Sequence, residues 1–159
     1  MRDDQVVDLL DGFARVGVRV WIGGGWGVDA MLGRQTRDHG DLDLAVDAEH
    51  LDTALRLLTG QGFTTTTDWL PVRVELTGDD GQVVDLHPIT FAADGSATQP
   101  GLDGARFDYA ADAFTVGRIA GHPVPCLSVR QQLQFRQGYP PRPVDVHDVA
   151  LLRSMTGDR

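Results

Sequence analysis

Three consecutive glycines, Gly23-Gly24-Gly25, stand between a β-branched and aromatic run, Val18 to Ile22, and a helical pattern from Trp26 to Leu32. Three glycines suit neither a strand nor a helix interior, so they predict a turn joining the two. Gly33 stops the helix in the C′ position. After a polar loop, Arg34 to Gly40, the stretch Asp41-Leu42-Asp43-Leu44-Ala45-Val46 alternates polar and apolar at its start, as a strand does. The chain thus offers a bare-backbone turn with a helix behind it and, beyond the polar loop, a strand that carries two carboxylates.

The remaining pattern is mixed. Asp3 or Asp4 can cap a first helix bearing Val6, Val7, Leu9, Leu10, Phe13 and Val16, ended by Gly17. Leu51, Leu55, Leu57 and Leu58 mark another helix, closing near Gly60-Gln61-Gly62, and Phe63 to Thr67 reads as a strand. Val72 to Leu76 and Gln82 to Leu86 alternate around Gly78-Asp79-Asp80-Gly81, a hairpin signal. Residues 92–112, rich in Ala, Asp and Gly, read as irregular. Phe114 to Ile119 and His122 to Cys126 suggest a second hairpin about Ala120-Gly121. Ser128 with Gln131 is a capping-box pattern opening a helix to about Gln137, and Val144 to Met155 reads as a closing helix. This order predicts an α+β fold in one domain: a core over 1–127 and a short helical C-terminal segment over 128–159 packed on it.

Composition narrows the function. A chain of 159 residues is one domain and needs no disulfide or structural metal to fold. The lone Cys126 excludes an intramolecular disulfide and points to a reducing cytoplasm. All 14 basic residues are arginine, which removes P-loop lysine, Schiff-base and Lys-base chemistry. A net charge of −9 without a basic tract argues against nucleic acid and anionic membrane as partners. No apolar run reaches the ~20 residues of a membrane span, and Met1-Arg2-Asp3-Asp4 does not start a signal peptide.

On a strand, residues two apart face the same way, so Asp41 and Asp43 can aim two carboxylates at one point. Such a pair needs a counter-charge, and oxygen-only ligands select a hard cation, Mg²⁺ or Mn²⁺, bound together with substrate phosphates. The glycine turn ahead of a helix offers N–H groups to a phosphate. It is not a dinucleotide fingerprint, because Val28 stands where G-x-G-x-x-G requires its third glycine. Arg37 suits a phosphate bidentately, with His39 beside it. Asp85, among apolar residues in Val83-Val84-Asp85-Leu86-His87, is either buried at a cost or facing a site, where it could serve as a base. Taken singly, each has an ordinary reading: a solvated strand edge, a tight turn, a salt bridge, a loop histidine, the exposed side of a hairpin.

Together they resemble a family. Gly24-Gly25-Trp26-Gly27-Val28-Asp29-Ala30 with Gly33-Arg34-Gln35-Thr36-Arg37-Asp38-His39-Gly40-Asp41-Leu42-Asp43 resembles the small antibiotic nucleotidyltransferases, the lincosamide and aminoglycoside enzymes of the DNA polymerase β-like superfamily. Val84-Asp85-Leu86-His87-Pro88 is similar to the lincosamide branch's third-carboxylate strand, and Phe135-Arg136-Gln137-Gly138-Tyr139 with Asp145-Val146-His147-Asp148-Val149 to its C-terminal region. The resemblance implies a mixed sheet flanked by helices. It also implies transfer of AMP from ATP to a hydroxyl of a small molecule, a lincosamide- or aminoglycoside-type antibiotic, with release of pyrophosphate. Asp41, Asp43 and Asp85 would hold Mg²⁺ or Mn²⁺, with Asp85 also the base. Gly24 and Gly25 would meet the triphosphate, with Arg37 nearby and His39 ordering the loop. Asp29 matches a family position without a role, and Arg34, Arg73 and Arg136 would replace any lysine contact. Glu75, on the same strand side as Arg73, could pair with it or line the acceptor pocket; Trp69 and Tyr139 could stack on a base or a sugar ring, with buried packing the favoured reading for Trp69; and a chain this short suggests a homodimer completing the pocket. Two alternatives share the fold: a catalytically silent nucleotide-binding or regulatory module, and a toxin-like transferase acting on a macromolecule.

Overall fold

Side-chain alternation divides the sheet into a packed face and an open one. On β1 (Val20–Ile22), β2 (Asp41–Asp47), β4 (Arg73–Thr77) and β5 (Val83–Phe91), the residues Val20, Ile22, Leu42, Leu44, Val46, Val74, Leu76, Val84 and Leu86 enter one buried cluster. That cluster also takes the apolar stripes of α1 (Asp3–Arg15) and α3 (Leu51–Gly60), and Trp26 and Ala30 of α2 (Gly24–Leu32). The alternate positions Asp41, Asp43, Arg73, Asp85 and His87 are thereby turned to the open face, where they line a cleft. The computed structural model describes residues 1–157.

Among these residues nine strands form a mixed sheet, with β3 (Thr64–Trp69), β4, β5, β2, β1, β9 (His122–Leu127) and β8 (Phe114–Ile119) in spatial order. The β2–β5 and β1–β9 pairs are parallel and the others antiparallel. Helices α4 (Val129–Phe135) and α5 (Pro143–Thr156) follow. The Ser128 hydroxyl accepts from the Gln131 N–H at 3.3 Å, as the capping pattern predicts. The Ala120-Gly121 turn takes φ of 48° and 81°, the positive pair that a tight hairpin requires.

Three expectations need correction. Gly24 and Gly25 are the first turn of α2 and Gly23 its N-cap, not a separate turn ahead of the helix. The α1 N-cap is Arg2, whose N–H donates to the Gln5 side-chain oxygen at 2.8 Å; Asp3 and Asp4 lie within the first turn, where their charge opposes the helix dipole. Residues 92–112 are not irregular throughout: they hold β6 (Ala97–Pro100) and β7 (Arg106–Tyr109). β6 pairs with the far end of β5, and Tyr109 of β7 stacks on Phe114 at 5.9 Å, so tertiary packing supplies an order that four-residue strands do not signal locally.

Candidate active site

Strands β2 and β5 run parallel without offset, which sets Asp43 opposite Asp85 and Ala45 opposite His87. Carboxylate oxygens of Asp43 and Asp85 and a ring nitrogen of His87 lie within 4.8 Å of one another. Asp41 lines the same cleft, of about 710 Å³, but stands outside that group of three. The trio expected from the sequence is thus a close pair with Asp41 beside it.

Counter-charge comes from two sources. Arg73 on β4 forms an ion pair with Asp85 Oδ2, its guanidinium held 4.9 Å from the Trp69 ring. His87 Nε2 lies 3.5 Å from Asp43 Oδ1 and 3.4 Å from Asp85 Oδ2. Burial pushes the His87 pKa down, but the two carboxylates outweigh burial and hold it at about 9. His87 Nε2 thus stands where it serves the two carboxylates as counter-charge or joins them as a third ligand to a metal ion. Its Nδ1 lies 3.2 Å from Gln99 Nε2, and Gln99 accepts from the Tyr109 hydroxyl at 2.6 Å. Desolvation against the cleft wall, then Asp43 and Asp85, push the Asp41 pKa up, although its side chain still reaches water.

The glycine turn lies directly on this pair. Gly24 has φ +57°, and a Cβ there would overlap the Asp43 carboxylate. A Cβ on Gly25 would meet Arg37 Nη2 at 2.6 Å and the His39 ring. His39 Nε2 lies 2.5 Å from Asp29 Oδ2, and Asp29 Oδ1 accepts from Thr36 at 2.6 Å. Burial raises the Asp29 pKa, but these two bonds more than offset it. His39 is therefore closed off beneath the turn, packed on Trp26 at 4.7 Å, where it orders the loop rather than facing the cleft.

Arg37 does face the cleft, held by Asp148 at 3.1 and 3.2 Å. Arg136, at the end of α4, donates to the same Asp148 at 3.0 Å and to the Gly24 carbonyl at 3.0 Å. Sequence reasoning missed Asp148 and His87. His87 stands two residues past Asp85 on the same strand side, a signal that was there to use.

A mixed sheet that offers two facing carboxylates beside a glycine helix start has the architecture of a nucleotidyltransferase. The family model for aminoglycoside-2''-adenylyltransferase matches residues 5–152. A lincosamide resistance protein of Staphylococcus haemolyticus is 35% identical over 97% of this chain and 96% of its own length. A 2''-aminoglycoside nucleotidyltransferase of Klebsiella pneumoniae is 35% identical over 69% of this chain and 58% of its own. The crystal structure of the lincosamide antibiotic adenylyltransferase LnuA, lincomycin-bound, superposes with a TM-score of 0.86 at 34% identity, over 96% of each chain. ANT(2'')-Ia in complex with adenylyl-2''-tobramycin, 24% identical, shares the fold with a TM-score of 0.75 over 98% of this chain and 89% of its own.

The chain belongs to the aminoglycoside-2''-adenylyltransferase family and has the polymerase β-like fold. It is an adenylyltransferase, and neither the silent module nor the macromolecule-directed transferase is favoured.

Proposed function

We propose that this enzyme transfers AMP from ATP to a hydroxyl of a lincosamide- or aminoglycoside-type antibiotic and releases pyrophosphate. The zero-offset register that sets Asp43 against Asp85 carries the reading. Asp85 Oδ1 is buried without a hydrogen-bond partner, an arrangement that costs free energy unless something binds it. Asp43 and Asp85, with Asp41 beside them, therefore fit Mg²⁺ or Mn²⁺. An ion held by these residues would supply charge neutralisation for the triphosphate and for the departing pyrophosphate.

The chain's own groups do the rest. N–H groups at the start of α2 and the guanidinium of Arg37 hold the triphosphate, and Arg136 braces the turn through the Gly24 carbonyl. Asp85 takes the proton of the acceptor hydroxyl as the hydroxyl oxygen bonds to the α-phosphorus, and the bond from that phosphorus to the α–β bridging oxygen breaks, with pyrophosphate leaving on that oxygen. His39 and Asp29 keep the loop in place. The reading includes 128–159, of which 158–159 lie outside the described residues, as a segment of the same domain, a homodimer, and a cytoplasmic location. Among the described residues no helix is long and apolar enough to cross a membrane.

The experiment is incubation with ATP, MgCl₂ and either lincomycin or tobramycin, read by mass. An acceptor gaining one AMP is expected. Asp43→Asn should cut the rate by about a thousandfold and weaken Mn²⁺ binding read by electron paramagnetic resonance. Full activity in that variant removes the pair from the chemistry. Light scattering that reads only 17.3 kDa at assay concentration removes the dimer.

A further inference from the structure

Arg73 stands between two carboxylates. On β4 it precedes Glu75 by two residues, so both side chains lie on one side of the strand. Its Nη1 pairs with Asp85 Oδ2 and lies 3.8 Å from Glu75 Oε2, an ion pair too long for a hydrogen bond. Trp69, its partner across the β3–β4 hairpin, lies with its ring centre 4.9 Å from the guanidinium carbon. The arginine thus has one full partner and one in reserve.

Glu75 is built as that second seat. Consecutive side chains of a regular strand face opposite ways. β3 breaks this rule, because its register against β4 shifts between Thr65 and Thr67. A bulge of this kind re-aims side chains. Here the hydroxyls of Thr66 and Thr67 both donate toward Glu75 Oε1, at 3.2 and 3.3 Å. Oε1 is therefore held by the hairpin, and Oε2 is left to Arg73.

Asp85 shows the complementary arrangement. Its Oδ2 carries Arg73, and its Oδ1 is buried without a partner. A carboxylate paired on one oxygen and open on the other holds the chain's own cation and leaves room for a second. A divalent cation on that carboxylate would stand beside the guanidinium, and repulsion between the two favours the arginine's other partner. While Arg73 stays, it covers one oxygen of the residue proposed as base.

Resting on the cation-assisted transfer proposed above, we infer that Arg73 is a displaceable positioning residue. It covers Asp85 before a divalent cation binds and passes to Glu75 when Asp43 and Asp85 hold one. The third carboxylate is uncovered for the acceptor hydroxyl only in the loaded cleft.

Mn²⁺ titrations of the nucleotide-free protein, read by electron paramagnetic resonance, test this in wild type, Arg73→Met, Glu75→Gln and the double variant. Thermal midpoints confirm that each folds, and Arg73→Gln replaces Arg73→Met if the latter does not. Arg73→Met is expected to bind Mn²⁺ about tenfold more tightly, and Glu75→Gln about fivefold more weakly. With Arg73 already replaced, Glu75→Gln should change the affinity by less than about twofold, because Glu75 acts through the arginine. Charge acting through space alone gives the same Glu75 effect in both backgrounds, and that additivity overturns the inference. Equal or weaker Mn²⁺ binding in Arg73→Met overturns it too, as does a wild-type protein that binds no Mn²⁺. Gain of AMP by an acceptor scores the transfer reading separately: the affinity pattern without transfer keeps the arginine's role and removes that reading alone.

Discussion

Gly24 meets two demands at one position. Its φ of +57° strains any side chain, and a Cβ would push the Asp43 carboxylate out of place. Gly24→Ala is therefore expected to cost about 1–2 kcal/mol of stability and at least about a hundredfold in kcat, since a displacement near 1 Å at a reacting group suffices for that. Urea midpoints and kcat measure the two effects. Asp43→Asn should show a different stability signature: activity lost with the midpoint little changed, because relief of repulsion from Asp41 and Asp85 is offset by the lost attraction to His87. Asp41, Asp43 and Asp85 were legible as carboxylate chemistry because strand alternation is a local rule. The ion pair from Arg73 to Asp85 was not, because it needs β4 and β5 paired in a register that sets Glu75 opposite Asp85. Nothing local specifies that pairing.

Elements with strong turn or cap chemistry were readable, and the acid sensitivity of one of them can be stated. The hairpins at Gly78–Gly81 and Ala120–Gly121 follow from residues that accept unusual φ or tight reversal. The β6–β7 pair escaped because each strand has four residues and β6 ends in Pro100, although Phe107 and Tyr109 do alternate. At the start of α5, Asp145 accepts from the Arg142 N–H at 2.9 Å and pairs with its guanidinium at 2.9 and 3.0 Å. Arg142 holds the Asp145 carboxyl at about 2, against the burial that would raise it. The unfolded chain binds that proton near pH 3.9. The stability Asp145 supplies is thus complete above about pH 4 and is lost as pH falls through about 2. Asp145→Asn should lower the urea midpoint at pH 6 and make it fall less steeply between pH 4 and 2. An acid limb identical to wild type would show that α5 gains nothing from this pair.

At the scale of the molecule, the cleft draws on residues from Gly23 to Asp148, so its integrity depends on both ends of the chain staying docked. Asp148 is the joint. Its side chain is 3% exposed and holds two guanidiniums: Arg37 from the loop before β2, and Arg136, 9% exposed, which also grips the Gly24 carbonyl. Removing that carboxylate leaves buried cations uncompensated, a loss of about 3 kcal/mol for pairs of this kind. Leu152, fully buried, anchors the same helix. If 128–159 belongs to one cooperative unit with 1–127, fluorescence of Trp21, Trp26 and Trp69 and helical circular dichroism should report a single urea transition in the wild type. Asp148→Ala should shift that transition to lower urea and separate the two signals, with helix lost before the tryptophan environment changes. KM for ATP should rise in the same variant under native conditions, because Arg37 and Arg136 lose the group that aims them. A wild-type protein whose two signals already melt apart would make the C-terminal segment an independent appendage and leave the arginines to be held by the core alone.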